Sequence, residues 1–330
     1  MRAPLRLAVV GAGRMGRRHA ENLAATSACR VAWIVDPDAS ARAFAAGLGA
    51  GWAPDYTPLR DVDAVVCVCP TALHPQAVGA ALDAGKDVFC EKPLALGLDA
   101  TRALAERVGA SGRYFQIGFM RRYDPAYAAA WREVRAGGLG RLRHLLAVSR
   151  DPQPPPESYV RVSGGIFLDL GIHDIDLLRW LSDEEIVEVH AQGNVGEAAY
   201  LARYGDVEEA QALVRFAGGA TGTMLLSRAS LYGYDVRTEL WGTAGSLAVG
   251  YLREPAVLRG DRSGLHAQAV PGFLERFAEA YRLEMADFVA RLVDGRPSPA
   301  TEADAVAAAA VADACQRSLR EGRPARIGGA

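Results

Sequence analysis

Short apolar runs alternate with amphipathic helical patterns through the first third of the chain. Five runs rich in Val, Ile, Cys and Phe have the length of buried strands, at residues 5–10, 30–35, 64–69, 87–90 and 114–118. Helical patterns lie between them, at 15–25, 39–48, 75–84 and 98–109. This alternation predicts βαβ units, and therefore a doubly wound parallel sheet with helices on both faces.

The pattern changes after about residue 120. The stretch D-P-Q-P-P-P at 151–156 cannot form a helix or a central strand. A helical segment follows at 165–181, and strand-like runs separated by glycine turns lie at 185–193, 209–216, 221–227, 238–242 and 246–250. Gly218 and Gly219 predict a hairpin turn between two of these runs. Helical patterns at 273–293 and 302–320 end the sequence, so we expect a second, α+β domain with a mostly antiparallel sheet.

Composition narrows the class of protein. With 330 residues, 50% hydrophobic and 23% charged, the chain can bury two cores. A net charge of −2 argues against nucleic acid or an anionic membrane as the main partner. No apolar run reaches the roughly 18 residues of a membrane span, and the first strand begins too early for a signal peptide. We expect a cytoplasmic protein.

Cysteine usage supports the same compartment. An odd number of cysteines favours a reducing cytosol over a disulfide framework, and C-V-C-P without a second pair does not predict a zinc site. We therefore predict no metal. The five cysteines are Cys29, Cys67, Cys69, Cys90 and Cys315.

The motif G-A-G-R-M-G at 11–16 follows the first predicted strand and begins the first helix. Gly11 allows a tight turn, Gly13 the close approach of a pyrophosphate, and Gly16 close packing of the helix, whose N-terminus attracts the anion. Asp36 ends the second strand, where a carboxylate accepts ribose hydroxyls and repels a 2′-phosphate. The motif predicts a dinucleotide site that prefers NAD to NADP. The alternative is a glycine-rich turn in which Asp36 caps a helix.

Two further loops follow strands at the carboxyl edge of the sheet, where ligands of such folds bind. One is C-P-T-A-L-H-P at 69–75, and the other is F-C-E-K-P at 89–93. Only two of the 37 basic residues are lysine, Lys86 and Lys92, and a compact ammonium donates hydrogen bonds differently from a guanidinium. A surface ion pair of Glu91 with Lys92 is the alternative. The predicted cofactor-binding residues are Gly11, Gly13, Arg14, Met15, Gly16, Asp36, Pro70, Thr71, His74, Glu91 and Lys92.

A second candidate site lies in D-L-G-I-H-D-I-D at 169–176. In one continuous helix, Asp169, His173 and Asp176 would share a face about 60° wide. An imidazole beside carboxylates is typical of a general base. His173 would take a proton, and Asp169 would orient the imidazole or relay the proton. The alternative is that Asp169 caps the helix and His173 is a buried histidine with a satisfied partner.

Together these motifs resemble the Gfo/Idh/MocA oxidoreductases: the glycine turn with Asp36, E-K-P, and G-G-x-x-x-D-x-G-x-H-D-x-D at 164–176. The resemblance extends nearly end to end, and G-F-M-R-R-Y-D-P at 118–125 is especially similar to the inositol 2-dehydrogenases of the family. It implies an NAD-binding Rossmann domain at 1–119. It also implies a substrate-binding and oligomerisation domain at 120–330, whose open-faced sheet forms a tetramer or dimer interface and whose C-terminal helix packs back on the first domain.

The resemblance implies catalytic roles for Lys92, Asp169 and His173. Lys92 would bind the reacting hydroxyl and stabilise charge on its oxygen, while His173 would remove the proton as the hydride passes to the nicotinamide. The implied activity is NAD-dependent oxidation of a ring hydroxyl of inositol or a related cyclitol. The alternatives are a pyranose dehydrogenase or keto-sugar reductase, and a non-catalytic dinucleotide-binding regulator. The predicted substrate-binding residues are Lys92, Arg121, Tyr123, Ser149, Asp151, Asp169, His173, Asp176, Tyr232 and Tyr234.

One stretch departs from the family pattern. Inositol dehydrogenases tend to read H-R-N-P after the strand that enters the second domain, whereas this chain reads S-R-D-P at 149–152. A carboxylate at Asp151 would favour a cationic substituent, which predicts an aminated or methylaminated cyclitol as substrate. The alternative is that Asp151 faces solvent or pairs with Arg150.

Overall fold

Two compact units make up the chain: Met1–Tyr123 with Glu279–Ala309, and Asp124–Ala278 with Ala310–Ala330. The structure, a computed structural model, describes residues 3–251, 258–267 and 269–328. Residues 279–309 therefore group with the first unit, although the sequence prediction assigned them to a second domain at 120–330.

The first unit is built on a parallel sheet with strand order β3-β2-β1-β4-β5-β6. This is the order of a doubly wound dinucleotide-binding fold, as the alternation predicts. Its strands are β1 Leu5–Val10, β2 Cys29–Val35, β3 Gly51–Ala53, β4 Ala64–Cys67, β5 Asp87–Glu91 and β6 Phe115–Gly118. Its connecting helices are α1 Arg14–Ala24, α2 Ala41–Gly47, α3 His74–Asp83 and α4 Leu98–Ser111, with 3₁₀ turns at Thr57–Asp61, Thr71–Leu73 and Met120–Tyr123.

The second unit contains a seven-stranded sheet with order β12-β11-β7-β10-β9-β8-β15. Its neighbouring strands are antiparallel except for the parallel pair of β7 and β10, so the predicted fold class is confirmed. The strands are β7 Leu142–Arg150, β8 Ile186–Asn194, β9 Glu209–Phe216, β10 Thr221–Ser227, β11 Asp235–Gly242, β12 Ser246–Val249 and β15 Ala325–Arg326, with a separate hairpin of β13 Leu258–Asp261 and β14 Gly264–Ala267.

Helices complete both units. In chain order after α4 they are α5 Pro125–Arg135, α6 Glu157–Ser163, α7 Ile166–Asp169, α8 Ile172–Ser182, α9 Phe273–Arg276, α10 Ala278–Asp294 and α11 Glu302–Glu321, with a 3₁₀ turn at Ala199–Tyr204. Helix α10 contributes Met285, Phe288 and Val289 to the same buried cluster as Leu7 and Phe89 of the parallel sheet. This burial of apolar surface explains why residues 279–309 belong to the first unit.

The predicted helix at 165–181 is wrong as a single element. Helix α7 ends at Asp169 and α8 begins at Ile172, because a tight turn intervenes in which Gly171 N donates to the carbonyl of Ile166 at 2.9 Å. A Cβ at Gly171 would lie 2.8 Å from a methyl group of Leu226 in β10. The turn therefore brings the backbone close against the sheet, where no side chain fits.

Among the described residues, strand β9 of the seven-stranded sheet is covered on one face and exposed on the other. Along β9, Ala210, Ala212 and Val214 are buried, whereas the alternating residues Gln211 and Leu213 are exposed. This alternation is typical of an antiparallel sheet with one packed face. Among the described residues, no helix is both long enough and apolar enough to cross a membrane.

Candidate active site

The glycine turn between β1 and α1 has the geometry that a pyrophosphate cradle requires. Gly11 has φ of +102°, and a Cβ there would lie 2.7 Å from the backbone nitrogen of Cys69. A Cβ at Gly16 would overlap the carbonyl oxygen of Gly11, so only glycine lets α1 pack this closely. A Cβ at Gly13 would meet no atom within 4 Å. The space in front of Gly13 is therefore open to a ligand.

The carboxylate of Asp36 is oriented by two backbone amides. Its Oδ2 accepts from Ala12 N at 2.7 Å, and its Oδ1 accepts from Asp38 N at 2.8 Å. Helix α1 has no acidic residue in its first turn, so its own side chains leave the positive end of the helix dipole available to an anion. Arg42 stacks on the ring of Trp52, 4.4 Å from the centroid. These residues fit NAD, with a carboxylate for the ribose diol and an open glycine for the pyrophosphate.

A buried histidine joins the two loops that follow β4 and β5. The ring nitrogens of His74 lie 2.9 Å from the carbonyl oxygens of Cys69 and Pro93. Burial lowers the pKa of His74, while both carbonyls act in the opposite direction. Pro70 is exposed and Thr71 is half-buried on the turn between Cys69 and His74. The ring of His74 thus holds the loops together, and its predicted contact with cofactor stays a prediction.

Three buried ionisable side chains cluster next to the E-K-P loop. His19 Nε2 lies 2.7 Å from Glu91 Oε1, and Glu91 Oε2 accepts from the backbone nitrogen of Lys92 at 3.1 Å. One polar atom each from His19, Glu91 and Glu284 lie within 4.8 Å of one another. Glu91 therefore fixes the backbone at Lys92, whose side chain is half-buried. His19 Nε2 and Glu91 Oε1 are bonded directly to each other, and the predicted absence of a metal stays a prediction.

Two predicted substrate residues, Arg121 and Tyr123, lie at the end of the segment Met1–Tyr123 of the first unit. The hydroxyl of Tyr123 donates to Asp287 Oδ2 at 2.9 Å and accepts from Gln116 Nε2 at 3.1 Å. Burial, followed by the charges of Glu284 and Asp287, raises the pKa of Tyr123. Arg121 is 1% exposed. Since Tyr123 has two partners inside the unit, a contact of either residue with substrate stays a prediction.

In the second unit, Asp169 ends α7, whereas His173 and Asp176 lie on α8. Every residue from Ile172 to Leu178 is buried, including His173 at 7% and Asp176 at 1% exposure. The pattern on α8 is therefore that of a helix inside the unit and not of a surface helix. Burial of an imidazole and a carboxylate on one helix restricts their geometry, which a proton-transfer site requires.

The carboxylate of Asp169 has a donor at each oxygen. Tyr159 donates its hydroxyl to Oδ1 at 2.7 Å, and Arg228 donates Nη1 to Oδ2 at 3.1 Å. Desolvation of its hydroxyl, followed by the charge of Asp169, raises the pKa of Tyr159, although the residue as a whole is 47% exposed. Arg228 is 1% exposed, and its Nη2 lies 3.1 Å from Asp206 Oδ2. Removing one partner of such a buried pair costs about 3–5 kcal/mol.

Two further predicted substrate residues, Ser149 and Asp151, lie two positions apart at the end of β7. Ser149 is fully buried and donates its hydroxyl to Asp174 Oδ1 at 2.8 Å. Asp151 is anchored through its backbone, because its nitrogen donates to Ser227 O at 2.9 Å and its carbonyl accepts from Ser230 N at 2.7 Å. The side chain of Asp151 is half-buried, so its position is set by neighbouring strand ends.

The remaining predicted substrate-binding residues are two tyrosines that precede β11. Tyr232 is 44% exposed, and its hydroxyl donates to Asp235 Oδ2 at 2.7 Å and accepts from Arg150. Tyr234 is buried and packs edge-on against Phe277, with ring centroids 6.4 Å apart. Tyr232 thus offers an accessible polar group, whereas the ring of Tyr234 belongs to the core.

The structure brings the predicted residues together within each unit. The cofactor candidates lie at the carboxyl ends of β1, β2, β4 and β5, and the substrate candidates of the second unit lie on α7 and α8, at the end of β7 and just before β11. Sequence reasoning missed Arg228, Tyr159 and Asp174. Arginine makes up all but two of the 37 basic residues, so nothing local marks Arg228, which lies 59 residues from Asp169.

Comparison with known proteins covers both units. Residues 5–119 match an oxidoreductase family with an NAD-binding Rossmann fold, and residues 127–248 match the GFO/IDH/MocA C-terminal domain. The chain is 38% identical to scyllo-inositol 2-dehydrogenase (NAD(+)) of Bacillus subtilis (strain 168), over 99% of this chain and 97% of that protein.

Solved structures agree with the sequence comparison. A myo-inositol dehydrogenase from Corynebacterium glutamicum ATCC 13032 has a TM-score of 0.94 at 34% identity, covering 99% of this chain and 100% of that one. The scyllo-inositol dehydrogenase of Lactobacillus casei, with NAD(H) and scyllo-inositol bound, has a TM-score of 0.92 at 29% identity and the same coverage. The predicted resemblance and the predicted cofactor, NAD, are confirmed. The chain belongs to the Gfo/Idh/MocA family of oxidoreductases.

Proposed function

We propose that this protein is an NAD-dependent dehydrogenase that oxidises a secondary ring hydroxyl of inositol or a related cyclitol to the ketone. The observation that carries the proposal is the likeness, across both units, to proteins named for oxidation of scyllo- and myo-inositol. The cradle of Gly11, Gly13 and Asp36 supports it because these residues fit the cofactor that such a reaction needs.

Each proposed catalytic residue has a distinct task. NAD, when bound, supplies the hydride acceptor. Lys92 donates a hydrogen bond to the reacting oxygen and stabilises the negative charge that develops there as the proton leaves. His173 accepts that proton, and Asp169 is the carboxylate that fixes the geometry of proton transfer. The balanced reaction converts the alcohol and NAD⁺ into the ketone, NADH and one proton.

A panel of substrates tests this function. Purified protein is incubated with NAD and, separately, with myo-inositol, scyllo-inositol, an inosamine and common pyranoses, and NADH formation is followed by absorbance. Turnover of an inositol with loss of activity in Lys92→Ala supports the proposal. Turnover of pyranoses alone would assign a sugar dehydrogenase. NAD binding without turnover of any polyol or keto-sugar would assign a regulator.

A finer proposal concerns the substrate. Asp151 directly follows β7 and is half-buried. It stands where inositol dehydrogenases tend to have a neutral residue, and a carboxylate at this position attracts a cationic substituent. We expect kcat/KM for an inosamine to exceed that for the parent inositol, and Asp151→Asn to reduce this preference by roughly tenfold. Equal or better use of the parent inositol by the wild type contradicts amine recognition and leaves the dehydrogenase proposal intact.

We also propose a homo-oligomer, a tetramer or a dimer, through the open face of the seven-stranded sheet. Leu213 on β9 is 60% exposed and Trp241 on β11 is 36% exposed, and large apolar side chains on a regular sheet face favour association. Light scattering after size exclusion is expected to give a multiple of 35.1 kDa. Leu213→Asp should lower that mass, whereas Leu231→Asp, at a fully exposed loop leucine, should not.

A cytoplasmic location completes the proposal. All five cysteines are free thiols, which is the state that a reducing compartment maintains. Fractionation of cells that produce the tagged protein should recover it with cytoplasmic markers. Recovery with a secreted or membrane fraction would contradict this location.

A further inference from the structure

We infer that Arg228 is a positioning residue for catalysis, acting through Asp169. This inference rests on the proposed function, because it assigns Arg228 a task only if Asp169 takes part in proton transfer. Arg228 follows β10 and is 1% exposed, so its guanidinium is held inside the second unit. Its Nη1 donates to Asp169 Oδ2 at 3.1 Å, and its Nη2 forms an ion pair with Asp206 Oδ2, also at 3.1 Å, without hydrogen-bond geometry.

Both carboxylates lie at the ends of the same short helix, α7. Oδ1 of Asp206 accepts from the backbone nitrogen of Ile166, the first residue of α7, at 2.8 Å. Asp169 is the last residue of α7. Arg228 therefore connects the two ends of this single helical turn, through Asp206 at its start and directly at its end. A single turn has little stability of its own, so the clamp by Arg228 determines where the carboxylate of Asp169 lies.

The clamp also fixes the rotation of that carboxylate. Arg228 donates to Oδ2 and Tyr159 donates to Oδ1 at 2.7 Å, so each oxygen accepts from a donor of defined direction. A guanidinium suits this task because its donors lie in one plane with fixed spacing, which an ammonium lacks. Misplacement of a reacting group by 1 Å can cost about 10²-fold in rate. Loss of Arg228 is therefore expected to lower kcat more than it weakens cofactor binding.

The test is a double-mutant cycle on the full-length enzyme, with the inositol or inosamine that the wild type turns over. Arg228→Gln is expected to lower kcat by about 10²-fold. In an Asp169→Asn background the same change should lower kcat by less than about threefold, because the carboxylate that Arg228 positions is gone. The NAD dissociation constant should stay within about twofold in every variant, since the cofactor residues lie in the other unit.

A matched control separates positioning from general stability. Arg179 on α8 has a side chain 10% exposed and pairs at 2.6 Å with Glu185, whose side chain is 62% exposed, so Arg179→Gln removes an ion pair of this unit that has one largely buried partner. It is expected to lower the thermal midpoint but to leave kcat within about twofold. Arg228→Lys keeps the charge and is expected to fold, with kcat between those of the wild type and Arg228→Gln.

Three outcomes would overturn the inference. They are wild-type kcat in a folded Arg228→Lys or Arg228→Gln, an equal loss of kcat from Arg228→Gln with and without Asp169, and a loss of kcat in Arg179→Gln that matches its loss of stability. If Arg228→Gln fails to fold, Arg228→Lys and Tyr159→Phe, each alone and with Asp169→Asn, provide the cycle. Absence of wild-type turnover on every polyol is a different result, which refutes the proposed function itself.

Discussion

Asp36 and Ala12 are joined by a hydrogen bond of 2.7 Å from the backbone nitrogen of Ala12 to the carboxylate of Asp36. The bond connects the end of β2 to the glycine turn after β1, so the predicted ribose and pyrophosphate anchors hold each other in place. A bond within the protein orients both anchors, and pre-organisation of this kind increases affinity.

Replacement of Asp36 should therefore weaken NAD binding and relax cofactor choice. In Asp36→Asn, the amide keeps one acceptor for Ala12 but loses the negative charge that repels a 2′-phosphate. We expect KM for NAD to rise roughly tenfold to a hundredfold, and the preference for NAD over NADP to fall by a similar factor, in steady-state kinetics with both cofactors. Asp63→Asn is the matched control, since Asp63 accepts from Arg6 N at 2.7 Å near the start of β1. Unchanged cofactor preference in Asp36→Asn would contradict the assignment.

Replacement by alanine should affect NAD binding at one glycine of the turn and protein stability at another. Gly13 has φ of −68° and ψ of −171°, and a Cβ there meets no protein atom, so Gly13→Ala should keep its stability but weaken NAD binding at least about tenfold by blocking the pyrophosphate. Gly16→Ala should cost about 1–3 kcal/mol of stability, because its Cβ overlaps Gly11. Calorimetric titration and thermal unfolding measure the two effects. Full NAD affinity in Gly13→Ala would place the pyrophosphate elsewhere.

Local patterns were sufficient to predict most of the sheets. The runs at 209–216 and 221–227 match β9 and β10 residue for residue, because β-branched and apolar residues bounded by glycines carry the signal locally. The break between α7 and α8 was not predictable, since the apolar period continues through Gly171 and the turn depends on contact with Leu226 of β10. Helix α5 was missed although D-P at its start is typical of a capped helix, and Asp124 does accept from Ala126 N and Tyr127 N.

Only part of the candidate site could be predicted from the sequence. Gly11, Gly13, Gly16 and Asp36 were found because the cofactor turn is encoded in adjacent residues whose spacing has a physical reason. Arg228 was not found, because its partners Asp169 and Asp206 are distant in sequence and only the fold brings the three charges together. Contacts between residues so distant in sequence can be recognised only in a three-dimensional structure.

Replacement of Lys92 should lower kcat even when the new residue is also a cation. Lys92→Arg keeps the charge, but the larger planar group cannot place a single donor on the reacting oxygen. We expect kcat to fall by roughly 10²–10³-fold with little change in NAD affinity. Lys86, the only other lysine of the sequence, is the matched control: its Nζ donates to Arg60 O at 2.9 Å, and Lys86→Arg should leave kcat within about twofold. Comparable losses in both variants would remove Lys92 from the reaction.

The imidazole of His173 should be required for proton transfer rather than for folding. His173→Gln retains a hydrogen-bonding group of similar size but cannot accept the proton, so kcat should fall by roughly 10²–10⁴-fold. NAD affinity and the thermal midpoint should change little. His144 in β7 of the same unit lies 3.0 Å from Thr221 Oγ1, and His144→Gln controls for loss of an imidazole. Retention of more than about half of the wild-type kcat by His173→Gln would show that another group accepts the proton.

Stability should fall on acidification through His74. Burial lowers the pKa of His74 from 6.5 in the folded protein, whereas the unfolded chain keeps the ordinary value. Below about pH 6.5 the unfolded state therefore binds a proton that the folded state excludes, and the free energy of unfolding falls by up to about 1.4 kcal/mol per pH unit. Above about pH 7 both states are neutral at this position, and the contribution is constant.

The variant His74→Asn isolates this contribution. It should be less stable than the wild type at about pH 8, because the loops at Cys69 and Pro93 lose the ring that joins them, but it has no imidazole to protonate. The difference in unfolding free energy between wild type and variant should therefore shrink as the pH falls from about 7 to 5. Urea unfolding at several pH values measures the difference. A constant gap would mean that folding leaves the pKa of His74 unchanged, and a gap that widens on acidification would mean that folding raises this pKa, with both ring nitrogens donating to the two carbonyls.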